Sequence, residues 1–192
     1  MKKLRLLLAA GLVVLSIPVA ASAAPIPFSE TLLTGETVHF WSFNITGPFS
    51  ATTAGTGWDT QLFLFDEFWN GKLANDDTAP SVYSSTLPST AFPFGQYFLA
   101  VTKYNTDPLN TSGLLFPDVP GLTGPTGPGG GAPVTGWSDT DWASFDLPYT
   151  LTLDGVSDVQ KLSAVPEPAS MTLLGTGLVG LVAHFRRRRQ TA

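Results

Sequence analysis

The chain has 192 residues, with ten Lys and Arg against fifteen Asp and Glu and no cysteine. Without cysteine there are no disulfides, no thiol nucleophiles and no thiolate zinc sites. A net charge of −5, with its few basic residues gathered at the two ends, leaves no basic footprint for nucleic acid.

Residues 1–23 read as a signal peptide. Lys2, Lys3 and Arg5 form a basic start, Leu6 to Val19 an apolar core, and Ala21-Ser22-Ala23 a small-residue cleavage site. Signal peptidase is the expected partner, cutting after Ala23. The body, residues 24–164, is long enough for one domain with its own core. It keeps Lys72, Lys103 and Lys161 against fourteen acidic residues, a formal charge of −11. Such a body repels anionic surfaces and attracts cations.

The body reads as β throughout. Thr37 to Thr46 is rich in β-branched and aromatic residues and bounded by Gly35 and Gly47-Pro48, which predicts a strand with Trp41, Phe43 and Ile45 inward. Phe49 to Ala54 is the next expected strand. Leu62 to Phe65 are consecutively apolar within Thr60–Asp66, which suits a central strand covered on both sides. Asn70-Gly71 signals a type I′ hairpin, with Lys72 to Asn75 returning. Ser81 to Leu87 is a weaker strand that Pro88 closes. Gly95 to Tyr104 is a strand with Tyr97, Leu99 and Val101 on one face. Residues 116–136 are dense in Pro and Gly and read as a long surface loop. Trp137 and Trp142 either pack that loop down or offer a stacking surface for sugar. Pro148 to Asp154 is the closing strand, with Tyr149, Leu151 and Leu153 inward, and Gly155 to Ser163 is a linker. Many short strands with turn signals predict an all-β, antiparallel sandwich.

The last segment, residues 165–192, has three parts. Val165-Pro166-Glu167-Pro168 is held extended by its prolines. Ala169 to Phe185 is 17 residues without a charge, about 25 Å as a helix and at the short end of a membrane span. Arg186, Arg187, Arg188 and Arg189 then hold that end on the cytoplasmic side as a stop-transfer cluster. Gly175, Gly177 and Gly180 satisfy a G-x-G-x-x-G pattern, but no strand precedes them and no acidic residue follows, which argues against a dinucleotide site.

This tail resembles the PEP-CTERM sorting signal of Gram-negative bacteria. The resemblance implies passage through the inner membrane, recognition of Val165 to Pro168 by an exosortase, removal of the tail, and a final place at the cell surface or outside the cell. Within the body, Asp59 to Asp66, Asn70 to Asp77, Gly95 to Val101 and Tyr149 to Leu153 resemble the bacterial pre-peptidase C-terminal domain. That likeness implies a jelly-roll-like β-sandwich of accessory function, in a family some of whose members bind calcium or matrix polymers. Phe68-Trp69 and the Pro/Gly stretch depart from the pattern.

No catalytic constellation is evident. His39 is the only histidine of the body and sits on a strand, which favours a structural role. No H-E-x-x-H, G-x-S-x-G or P-loop pattern occurs. The densest acidic stretch holds Asp59, Asp66, Glu67, Asn70, Asn75, Asp76 and Asp77. Hard cations take such oxygens, so calcium is the candidate cofactor and Asp59, Asp66, Asp76 and Asp77 the candidate ligands. The opposing reading is that Asp and Asn are good turn formers. The expected function is a non-catalytic surface or matrix protein associated with exopolysaccharide. The alternatives are a secreted polysaccharide hydrolase and a calcium-dependent carbohydrate-binding module.

Overall fold

The computed structural model describes residues 24–138 and 146–162. The expected leader with Ala23, the expected sorting signal from Val165 to Arg189 with its expected span 169–185, and Trp142 lie outside the described residues. Eleven strands follow in order: β1 Ile26–Leu32, β2 Val38–Thr52, β3 Thr60–Asp66, β4 Gly71–Asn75, β5 Thr86–Thr90, β6 Gly95–Lys103, β7 Pro108–Asn110, β8 Gly113–Leu114, β9 Leu122–Thr123, β10 Gly136–Trp137 and β11 Leu147–Leu162. Every pairing is antiparallel. Among the described residues no helix is long and apolar enough to cross a membrane.

The main sheet runs β1-β11-β2-β6-β3-β4-β9, with β5 added on β2. Its two longest strands bend together and fold the sheet over. Val38 to Ile45 of β2 pair with β6, whereas Phe49 to Thr52 pair with β5. Along β11, Thr152 to Asp154 follow the second part of β2 and Val156 to Leu162 follow the first, with a register shift at Gly155. Gly155 has φ of 72°, and a Cβ there would stand 2.2 Å from the Pro48 carbonyl oxygen. Only glycine fits a backbone approach that close.

The fold-over brings two inner faces together. Phe43 before the bend stacks on Phe49 after it, with ring centroids 5.4 Å apart. Trp41, Ile45, Leu62, Leu64, Leu99 and Val101 pack in the same core as Leu87, Tyr149, Leu151 and Leu153. The alternating residues expected to point inward on β2, β6 and β11 do so. His39 ties the two layers: the Tyr149 hydroxyl accepts from Trp41 Nε1 at 3.4 Å and donates to His39 Nδ1 at 2.8 Å, and His39 Nε2 donates to Glu36 at 3.0 Å. Burial pushes the His39 pKa down, so the ring is held neutral in that tautomer.

The outer face of the larger layer has its own core. Phe63 and Phe65 of β3 point there, with Val38, Ala74 and Ala100, and are covered by Leu115, Phe116, Val134 and Trp137. The continuous apolar run of β3 is therefore buried on both sides. The expected surface loop at 116–136 does run over the surface, with Val119 and Leu122 about half exposed, but Phe116 and Val134 pack it down onto the sheet as a cover. Gly127, Gly129 and Gly130 serve close packing: a Cβ on Gly130 would overlap the Pro125 carbonyl oxygen. Trp137 belongs to this packing, edge-on to Phe40, Phe63 and Phe65.

Four boundaries differ from expectation. Thr37–Thr46 and Phe49–Ala54 are one strand, because Gly47-Pro48 bends β2 without ending it. The supposed linker after Asp154 continues as β11 to Leu162. Pro88 lies inside β5 rather than after it, which is tolerated because β5 pairs with β2 alone. The hairpin turn is not type I′ at Asn70-Gly71. Positive φ falls on Trp69, at 64°, and Trp69 stacks flat on Phe98 at 4.2 Å. That stacking selects a longer turn from Asp66 to Asn70.

Candidate metal centre

Asp59 immediately precedes β3, and Asp76 and Asp77 immediately follow β4. The two strands are antiparallel, with Leu62 opposite Asn75, so the start of one lies beside the end of the other. The three carboxylates converge there: one oxygen from each lies within 4.8 Å of the others. Oxygens that close are within bridging range of one ion, whose bonds to oxygen are ~2.4 Å for calcium.

The backbone around them is held on several sides. Tyr104 N donates to Asp59 O at 3.0 Å, and Thr60 N to Tyr83 O at 2.9 Å. The Ser85 hydroxyl lies between the carbonyls of Thr60 and Asp76. Asn75 Nδ2 donates to Asp77 O at 3.0 Å, and Asn75 Oδ1 accepts from Thr86 N at 2.7 Å. Asn75 is thus occupied in framing the loop.

The carboxylates have less support, with the Gln61 side chain reaching Asp76. Oδ1 of Asp59, of Asp76 and of Asp77 is shielded from solvent and meets no hydrogen-bond donor. Burial, then the Asp77 charge, pushes Asp59 up to about 6. Burial, then Asp59, Asp77 and Asp107, pushes Asp76 up to about 7. A shared proton or a bound cation would relieve the crowding of charges in this group. All-oxygen, anionic and partly desolvated, it suits a hard divalent ion and offers nothing to a soft one.

Asp66 is not part of this group. The β3–β4 hairpin carries it to the opposite end, where its Oδ1 accepts from Phe68 N and Asn70 N, both at 3.0 Å. Asn70 Nδ2 lies 3.2 Å from each of its oxygens, and Lys72 Nζ is 3.6 Å from Oδ2. Asp66 and Asn70 form the turn, and the metal-ligand expectation for Asp66 does not fit that geometry.

Two further acids escaped the sequence reading. Asp107 and Asp118 line a small cavity together with Asp76 and Gln61. Gln61 Nε2 donates to Asp107 Oδ1 at 3.1 Å, yet burial, aided by the Asp118 charge, still raises the Asp107 pKa. No local spacing in the sequence announces this, because the contact is made by the fold of the Pro/Gly stretch.

Comparison with known proteins bears on the other end of the chain. No curated protein and no solved structure matches the sequence, and no family match supports the likeness of the body to pre-peptidase C-terminal domains. One family does match, at residues 164–189, a range that includes Val165 to Pro168 and Arg186 to Arg189. These residues carry the PEP-CTERM protein-sorting motif, which marks the chain as an exosortase-targeted, secreted surface protein.

Proposed function

We propose that the chain is a non-catalytic cell-surface or matrix protein whose body is a calcium-stabilised β-sandwich associated with exopolysaccharide. In this reading signal peptidase removes residues 1–23, the tail holds the chain briefly in the inner membrane, and an exosortase releases it. The body acts as an accessory domain of the pre-peptidase C-terminal kind. The observation that carries the proposal is the convergence of Asp59, Asp76 and Asp77, each with a shielded oxygen lacking a donor. A cation is the simplest partner for oxygens in that state.

A polysaccharide has a candidate surface too. A cleft of about 440 Å³ lies between β1, β11 and the turn at 55–57, lined by Ser29, Glu30, Thr31, Thr56 and Thr150 among others. Hydroxyls and one carboxylate are suitable partners for sugar hydroxyls. The calcium-dependent carbohydrate-binding alternative has support of its own. Tyr83 and Tyr104, 56% and 43% exposed, are bonded through their backbones to Thr60 and Asp59, beside the metal centre. The hydrolase alternative draws on two neighbouring acids with raised pKa values, but neither lines the cleft of about 440 Å³.

Melting the full chain with excess calcium, with chelator, and with magnesium at matched ionic strength tests the metal. A calcium-specific rise in midpoint supports it, and three coincident curves remove it. Screening against polysaccharides for binding and turnover separates the functional alternatives. Turnover abolished by Asp59→Asn or Asp76→Asn would establish the hydrolase instead.

A further inference from the structure

The two halves of β11 are held very differently. Leu147 to Leu153 pair with β1 and bury Leu147, Tyr149, Leu151 and Leu153 in the core. Among the described residues, Val156 to Leu162 pair with β2 alone, and no residue after Val156 is buried. The ladder is also broken there. Ser157 lies opposite Asn44 and Gln160 opposite Ser42, so β11 runs through one residue more than β2, as in a bulge. Within it Asp158 has φ of 54°, a left-handed backbone that few residues other than glycine adopt. The side chains that tie this end down are exposed. Asn44 Nδ2 donates to Asp158 Oδ2 at 3.0 Å, and Lys161 Nζ donates to Glu30 Oε2 at 2.7 Å. Val159 is only partly buried against the core. Few buried groups and a broken ladder mark a segment that opens locally while the rest stays folded.

This end leads straight into the sorting motif. The match to the sorting family begins at residue 164, and Val165 follows Leu162 by three residues. Three residues of extended chain reach at most ~11 Å, and the seven to Ala169, where the expected span starts, at most ~25 Å. A folded domain that near crowds an enzyme that must take up an extended peptide. We propose that Ser157 to Leu162 detach from β2 during processing and supply the exosortase with further extended chain, about 20 Å for six residues. This rests on the sorting motif and not on the metal centre. The bulge makes the detachment local, because the half of β11 paired with β1 keeps its core contacts. It also blunts the free edge against pairing in place with another strand, which favours release over docking on the folded edge.

Because the chain has no cysteine, one engineered disulfide can hold the segment down. Ser42 and Gln160 are direct cross-strand partners, within disulfide reach. The full chain carrying Ser42→Cys and Gln160→Cys is incubated with membranes containing an exosortase, oxidised and reduced. Oxidation is expected to slow tail removal about tenfold or more and reduction to restore it, with the parent chain controlling for the reductant. Six Gly and Ser residues inserted after Leu162 should restore cleavage of the oxidised chain, because the segment supplies length. In mild detergent, amide exchange across 157–162 of the full parent chain should run about tenfold or more faster than across Tyr149 to Leu153. Cleavage of the oxidised chain at the parent's rate overturns the detachment and leaves the sorting signal standing. So does an inserted linker that fails to restore cleavage, or exchange across 157–162 as slow as across 149–153. A parent chain whose tail is never removed overturns both.

Discussion

At one end of the β3–β4 hairpin, Asp66 is surrounded by donors: two backbone N–H groups, the Asn70 amide and the Lys72 ammonium. At the other end, Asp59, Asp76 and Asp77 face one another, each with an oxygen that meets no donor. The residue type is the same and the segment is the same. What differs is whether the local backbone turns its N–H groups toward the carboxylate. Where it does, the acid is a turn element complete in itself. Where it does not, the acids keep oxygens without a donor, and the proposed function supplies a partner from outside the chain.

The largest expected effect comes from supplying that partner. Calcium at a hundredfold over Kd adds ~2.7 kcal/mol, which for a domain of this size raises the melting midpoint by about 8 °C. Asp76→Asn should abolish the rise, whereas Asp66→Asn should leave it intact. Equal loss in both variants would erase the distinction between the two ends.

Truncating the turn acid is next in size. Asp66→Ala removes the acceptor for Phe68 N and Asn70 N and should cost about 2 kcal/mol. Urea unfolding should give the same loss with calcium and with chelator. A calcium-dependent loss would place Asp66 in the metal centre after all.

The pH dependence of the metal-free chain is smaller. Asp59 and Asp76 have folded pKa values of about 6 and about 7, above the ~3.9 of an unfolded aspartate. The folded state therefore binds more protons between about pH 4 and 7, and these groups lower stability as pH rises through that window. Discounted for partial exposure, the drop is about 1–2 kcal/mol. His39 has the opposite sign, since its depressed pKa favours the fold above about pH 6.5 and the benefit is lost on acidification. The difference between parent and Asp76→Asn cancels His39 and isolates the acids. In chelator, Asp76→Asn should gain on the parent from pH 5 to 8, as followed by thermal melts. The smallest effect belongs to Lys72→Met, under about 0.5 kcal/mol, because the ion pair is partly exposed and long.

Much of this fold was legible in residue alternation. Trp41-Phe43-Ile45, Tyr97-Leu99-Val101 and Tyr149-Leu151-Leu153 mark one core, and the unbroken Leu62 to Phe65 marks a strand between two. The bends were not legible. Gly47-Pro48 and Gly155 read as strand ends when each is judged alone, and only their mutual fit turns them into one fold-over. That residues 116–136 pack down near Trp137 was one of two readings the sequence left open, but where they land was not legible, because Pro and Gly composition is silent on Phe116, Val134 and Trp137 meeting Phe63 and Phe65. β1 was missed because Pro27 and the polar run Ser29-Glu30-Thr31 break up its apolar residues and its partner β11 lies more than a hundred residues away.

The site was legible by composition and not by membership. Asp59 to Asp77 is one acidic stretch in the sequence, but a seven-residue strand at ~3.3 Å per residue carries Asp66 some ~20 Å from Asp59. Asp107 and Asp118 reach Asp76 only through tertiary folding. The PEP-CTERM tail was the opposite case, because its signal lies in contiguous residues and needs no fold to be read.

Calorimetric titration of the full chain with calcium, beside Asp76→Asn and Asp66→Asn, is the most direct measurement. Saturable uptake of close to one ion per chain, lost in Asp76→Asn and retained in Asp66→Asn, is the predicted result. No saturable uptake by the parent chain, or uptake unaffected by Asp76→Asn, would contradict the metal centre.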